Sequence, residues 1–275
     1  MQTRRSMIEI KSIDEIMLMR AAGLVVERAL REMALAASPG VSTLDLDAIA
    51  RAVLADAGAE PSFLNYHGYP AVICASVNDR IVHGIPSANE VLVAGDLISL
   101  DFGAIVEGWH GDAAVTVPIG TVEPLAAALS ETCRRAMWDG LVKARAGARL
   151  TDISHAVETS VRQSGKYGIV TGYGGHGIGS HMHMDPHVLN HGRPGKGPRL
   201  EPGMALAIEP MLTLGSPGTR ELADGWTVAT ADGSMAAHWE HTIAILDDGP
   251  WVLTAEDGGR AELGARGIEL SSHAK

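Results

Sequence analysis

Cysteine is nearly absent: Cys74 and Cys133 are the only two in 275 residues. They lie far apart and form no metal-type pair, so neither a disulfide framework nor a cysteine-held zinc is expected, and a reducing compartment is. Phenylalanine is as scarce, with Phe63 and Phe102 alone. Positive charge is in deficit, with 22 Lys and Arg against 33 Asp and Glu and a net charge of −11. A dedicated nucleic-acid binder needs clustered cations for phosphate, so that class is disfavoured. No apolar run reaches ~18 residues, the least that a membrane span requires. Arg4, Arg5, Glu9, Lys11, Asp14 and Glu15 break any apolar signal core near the N-terminus. Proline (13 residues) and charge (20%) are too low for a disordered chain, and the 46% hydrophobic content suits a packed core. A soluble cytoplasmic globular protein is expected, with one large domain or two small ones.

Glycine, at 32 residues, is the plentiful type, and it punctuates the chain. A helix is expected over residues 12–37, where Ser12 and Glu15 read as a capping box and Ile16, Met19, Val26, Leu30 and Met33 share one face. Pro39-Gly40 stops it. A second helix, 43–57, ends at Gly58. Strands are expected at 71–76 and 97–102, and residues 105–117 read as a turn and another strand. After Pro124 the pattern restarts, with helices at 125–145 and 152–164 and strands at 203–209, 225–230 and 240–246. Gly40 and Gly58 recur as Gly147 and Gly165 at an offset of 107, which Tyr66 and Tyr173 share. Gly95 to Asp101 and Gly203 to Glu209 are each an apolar strand closing on a carboxylate. Two related halves in one domain follow from this repeat.

Those carboxylates carry the chemistry. Asp101, Asp112, Glu209 and Glu240 each stand at the end of an apolar strand. One alone would read as a strand-end contact with solvent. Four call for a common partner, because a buried unpaired carboxylate costs several kcal/mol or shifts its pKa. Divalent metal would neutralise them together. His176, flanked by glycines that would let the backbone pass close to a metal or substrate, is the candidate fifth ligand. His181, His187 and His191 read as polar groups at the surface or behind the ligands. The run Gly172-x-Gly174-x-x-Gly177 matches a dinucleotide fingerprint only formally, since no helix start follows. A zinc helix, a serine elbow and a phosphate loop are all lacking. An oxygen-rich set with one histidine suits hard or borderline divalent ions, and bridging carboxylates would hold two of them ~3.5–4 Å apart.

The chain resembles the type I methionine aminopeptidases, in order and spacing, through Tyr66-His-Gly-Tyr-Pro70, Ser76-Val-Asn78, His83-Gly-Ile-Pro86, Asp101, Gly111-Asp112, Gly175-His-Gly-Ile-Gly179, Ile208-Glu-Pro-Met211 and Glu240-His-Thr242. The likeness runs from about Ile13 to Leu253. It implies an α+β pita-bread fold: two pseudo-symmetric αβ halves, about 13–120 and 121–250, around a curved antiparallel sheet with helices on its outer face. Residues 1–275 would form a single catalytic domain. It implies two divalent ions (Co, Mn, Fe, Zn or Ni) on Asp101, Asp112, His176, Glu209 and Glu240. Asp112 and Glu240 would bridge, Asp101 would complete one ion, and His176 and Glu209 the other.

The implied reaction removes the initiator methionine from nascent chains with a small second residue, by attack of water activated between the ions. Glu209 would carry the proton, with His83 and His183 contacting the substrate near the scissile amide. Tyr66, Tyr69, Cys74, Met182 and Trp226 would form the methionine pocket, Met182 standing where many relatives carry Phe. The expected partner is a peptide or nascent-chain N-terminus, with the ribosome as a candidate second partner; a monomer without dedicated nucleic-acid binding and without membrane binding is expected. The insertion of type II enzymes and a long zinc-binding N-terminal extension are both missing from the sequence. A prolidase-like peptidase of this fold usually has an extra N-terminal domain, for which the stretch before the first helix leaves no room. A non-catalytic binder would be expected to have lost ligands, and all five are in place.

Overall fold

The computed structural model of the chain describes residues 8–274, so Arg4 and Arg5 of the expected N-terminal charge cluster lie outside it. Helix α1 spans Ile13–Ala36 and starts on the expected capping box of Ser12 and Glu15. Helix α2 spans Thr43–Ala57, capped by Ser42 with Asp45 and ended by Gly58 in the left-handed conformation. In the second half, α3 is Pro124–Leu141 and α4 is Leu150–Ser164. Proline at the first position of α3 costs no hydrogen bond there. Helix α3 is shorter than expected, because the amides of Lys143, Ala144 and Arg145 turn back onto Gly140, Leu141 and Lys143.

Nine strands form one antiparallel sheet: β1 Glu60–Pro61, β2 Ile73–Val77, β3 Leu97–Val106, β4 Trp109–Pro118, β5 Gly175–Gly177, β6 Met184–Val188, β7 Ala205–Ile208, β8 Glu240–Leu246 and β9 Gly249–Val252. The path is β1-β3-β4-β8-β7-β5-β6, with β2 beside β3 and β9 beside β8. Read outward from the β4–β8 junction, β4, β3 and β2 of the first half answer β8, β7 and β5 of the second, which gives the repeat a structural form. The junction is short, with Glu240 opposite Ala114 and His241 opposite Ala113. The expected strand at 225–230 begins only at Val228, because Asp224 accepts from the amides of Trp226 and Thr227 and makes that stretch a turn.

Strand alternation assigns the two faces of the sheet. Ile98, Leu100, Phe102 and Ala104 of β3, with Ala113 of β4, pack into the core under α1 and α2. Leu206, Ile208, Ile243 and Ile245 pack into the core under α3. The residues between them face the other way. Gly111 on β4 lies against Gly23 of α1, where a Cβ would stand 2.7 Å from the Gly23 nitrogen. That close approach of helix and sheet turns the neighbouring Asp112 to the opposite face. Among the described residues no helix is long and apolar enough to cross a membrane.

Candidate metal centre

The register brings the five strands that carry the expected ligands into one pattern. Cys74 pairs with Asp101, Asp101 with Ala114, and Ala114 with Glu240, forming a single cross-strand row. Asp112 lies two residues before Ala114 and so shares its face. The next row runs from Thr242 through Ala207 to His176, and Glu209 lies two residues beyond Ala207. All five side chains therefore stand on the face away from the helices, separated by small residues (Ala114, Ala207, Thr242) that leave room between them. Thr242 fixes this arrangement: its hydroxyl accepts from the Asp112 amide at 3.2 Å and donates to the Asp112 carbonyl at 2.8 Å.

The expected ligands line one cavity of about 320 Å³. The donor atoms of Asp112, His176 and Glu240 lie within 4.8 Å of one another, and so do those of Glu209, His238 and Glu240. Glu240 belongs to both groups. His176 Nε2 is 3.4 Å from Glu209 Oε1. Asp101 falls outside both groups, although its Oδ1 is buried and, like Asp112 Oδ1 and Glu240 Oε1, has no hydrogen-bond partner among the described residues.

No Lys or Arg among the described residues lines this cavity. Burial, then repulsion from Asp101 and Glu209, pushes Asp112 well above the usual carboxylate range. Glu240 is raised by burial and by Asp112, Glu209 and Asp101, and Glu209 by burial. Asp101 is raised to about 7, mainly by burial and partly offset by His238. Burial, with His183 nearby, lowers His176 to about 3 and leaves it a neutral imidazole with a free lone pair. Four buried acids without a cation and a neutral imidazole fit divalent metal, which relieves both the repulsion and the unpartnered oxygens.

His83 and His183 stand at the same cavity. His83 holds a left-handed backbone, φ 60°, which side chains rarely adopt. Gly84 behind it lies so close to β2 that a Cβ would overlap the Ala75 carbonyl oxygen. His83 is lowered to about 4 by burial and by the neighbouring His238 and His183. His183 is exposed, bonds the Tyr66 hydroxyl through Nδ1 at 2.9 Å, and its ring centroid lies 4.3 Å from that of His176.

Tyr69, Cys74 and Met182 form an apolar cluster with Phe63 and Ala71, and Tyr66 and Trp226 pack against it. The Tyr69 hydroxyl is shared between the carbonyls of Ile73 (2.9 Å) and Gly84 (3.0 Å), so the ring alone faces the cavity. All the expected site residues thus meet in one place. His187 is exposed at the rim, and His181 is exposed as expected. Gly172 and Gly174 line the cavity. The two glycines next to His176 serve the sheet: a Cβ on Gly175 would overlap the Ala207 carbonyl, and one on Gly177 the Asp185 carbonyl, so they let β5 fit between its neighbouring strands.

Phe63, Tyr173 and His238 were missed by the sequence reading. Phe63 sits in a loop without periodicity. Tyr173 showed only as a repeat partner, and His238 belonged to none of the motifs.

Residues 17–247 match the metallopeptidase family M24. The chain is 56% identical over 255 residues to methionine aminopeptidase 1 of Mycobacterium tuberculosis, covering 91% of this chain and 96% of that one. The crystal structure of methionine aminopeptidase from Thermotoga maritima matches with a TM-score of 0.89 at 39% identity, over 91% of this chain and 100% of that one. The prolidase from Pyrococcus furiosus, 20% identical with a TM-score of 0.72 over 90% of this chain and 65% of its own, shares the fold. That fold is the expected pita-bread arrangement.

Proposed function

Since the chain belongs to the metallopeptidase family M24, among its methionine aminopeptidases, we infer that it is a metal-dependent hydrolase that releases the N-terminal methionine of peptides and nascent chains. The observation that carries this reading is the cavity itself, with four carboxylates and a neutral imidazole on one sheet face beside a sulfur- and aromatic-lined apolar end. We assign two divalent ions to it, drawn from Co, Mn, Fe, Zn or Ni. Asp112 and Glu240 would be shared between them, Asp101 would complete one, and His176 and Glu209 the other. When bound, such a pair supplies Lewis acidity toward a peptide carbonyl and a water that ionises near neutral pH.

The side chains do the rest. Glu209 accepts the proton of the attacking water and returns it to the leaving amine. With Tyr66 donating to Nδ1 of His183, the ring proton lies on Nε2 and is offered to the substrate carbonyl oxygen. His83, uncharged at neutral pH, bonds the leaving amide. Tyr69, Cys74, Met182 and Trp226, with Phe63 and Tyr66 beside them, take the methionine side chain, soft against soft. A tight wall beyond the pocket would restrict the second residue to small types. The enzyme works as a cytoplasmic monomer, with residues 1–275 as one catalytic unit, on chains leaving the ribosome.

The test is metal analysis of protein purified without added metal, paired with hydrolysis of Met-Ala-Ser. Free methionine should appear only when ions are bound, at two per chain. Absence of turnover with all five ions would overturn the reading.

A further inference from the structure

His238 is outside the five-residue ligand set, yet it is the other imidazole buried among the carboxylates. It ends the short strand Ala236–His238, and its backbone is pinned on both sides. Its N–H donates to Ser99 Oγ at 3.2 Å and Thr116 Oγ1 at 3.0 Å, and its carbonyl accepts from Thr116 Oγ1 at 2.7 Å. The ring is thereby directed into the cavity, where it is 1% exposed as a residue. Nε2 lies 3.5 Å from Glu209 Oε2 and 4.0 Å from Glu240 Oε2. Neither ring nitrogen has a hydrogen-bond partner among the described residues. A neutral imidazole has one N–H and one lone pair. The carboxylates around it can accept the first, and once they are ionised no described group donates to the second. A buried lone pair beside two carboxylate oxygens is the environment of a metal ligand.

We propose that His238 is a sixth metal-ligating side chain, its Nε2 joining Glu209 and Glu240 on one ion. The proposal rests on the metal-centre reading above. Its chemical consequence is selectivity. A second imidazole favours the later, nitrogen-binding ions Co, Ni and Zn over Mn, which prefers oxygen.

X-ray absorption of the zinc-loaded protein at the zinc edge counts imidazoles directly. Two imidazoles on two ions give about one per zinc, and His238→Gln should halve that signal while two ions remain bound. In competition, His238→Gln should shift the Zn-to-Mn affinity ratio toward Mn by about tenfold or more. A measurement on the parent protein covers the case of a variant that does not fold: with ¹⁵N-labelled histidine and zinc bound, two ring nitrogens should carry the shift of a metallated imidazole. Two ions bound with a single metallated nitrogen would overturn the proposal and leave the function standing. Failure to bind any ion would overturn both.

Discussion

Glu240 shares a cross-strand row with Asp101 and belongs to both groups of clustered donors, so its removal tests the centre most directly. Glu240→Ala should keep the fold but bind at most one ion and lose more than ~100-fold in turnover, beyond what outer partners of a metal ligand usually cost. Elemental analysis and Met-Ala-Ser kinetics read both. His83→Ala and His183→Ala should behave differently, each lowering turnover ~10²–10⁴-fold with metal content unchanged. Loss of metal in step with activity would move either residue into the ligand set. Met182 tests specificity. It is buried against Phe63, Tyr69 and Cys74, where a flexible thioether gives way more easily than a ring. One methylene in an apolar pocket is worth ~1–3 kcal/mol. Norleucine-Ala-Ser should therefore be cleaved within about tenfold of Met-Ala-Ser, and Leu-Ala-Ser far more slowly. Met182→Phe should widen the gap between methionine and norleucine. An unchanged kcat/KM ratio would remove Met182 from the pocket wall.

Elements set where these side chains stand, and the segment from β2 to His83 shows how. Ser76 Oγ accepts from the Gly84 amide at 3.1 Å, and the Gly84 carbonyl accepts from the Ala75 amide at 2.8 Å. With no side chain at Gly84, the loop lies flat on β2 and holds His83 in its strained conformation. Gly84→Ala would force the loop off the strand. Overpacking of this kind costs ~1–3 kcal/mol, so a lower Tm is expected in thermal melts, together with a kcat loss at constant metal content. A variant with normal kcat would show that the loop does not position His83. Much of this was legible beforehand. Capping boxes and glycine stops are local signals, and they located α1 and α2 closely. Asp101, Asp112, Glu209 and Glu240 stood out because apolar strands do not otherwise end on acids four times. The strands at 80–82, 219–221 and 236–238 were not legible, because three residues are too few to show alternation. His238 escaped for that reason, and because only cross-strand register shows what faces it. The glycines around His176 read as close approaches, and at Gly175 and Gly177 neighbouring strand backbone is what comes close.

For the molecule as a whole, the centre links metal, protons and stability. The formal net charge of −11 counts the four cavity carboxylates as ionised, and without metal they resist ionisation. Asp101 has an ordinary value of 3.8 and is raised to about 7 in the fold, and Asp112, Glu209 and Glu240 are raised well above their ordinary values. The folded protein thus holds protons that the unfolded chain has released. Stability from these groups is complete at low pH and is lost as pH rises through their folded values. The buried histidines act in the opposite sense. His83 and His241 are lowered from 6.5 to about 4, mainly by burial, so their contribution is lost as pH falls and is complete above 6.5. Lys11, lowered by burial to about 8, adds its own change only above that value. Between pH 6.5 and 8 the carboxylates therefore dominate, and the chelated protein should melt at lower temperature as pH rises. Bound ions need the carboxylates ionised, so metal stabilisation grows over the same interval. Thermal melts in chelator and in saturating Mn²⁺, at steps from pH 6.5 to 8, should diverge, with the gap widest at pH 8. Parallel curves would mean that the four carboxylates are not held as one cation site.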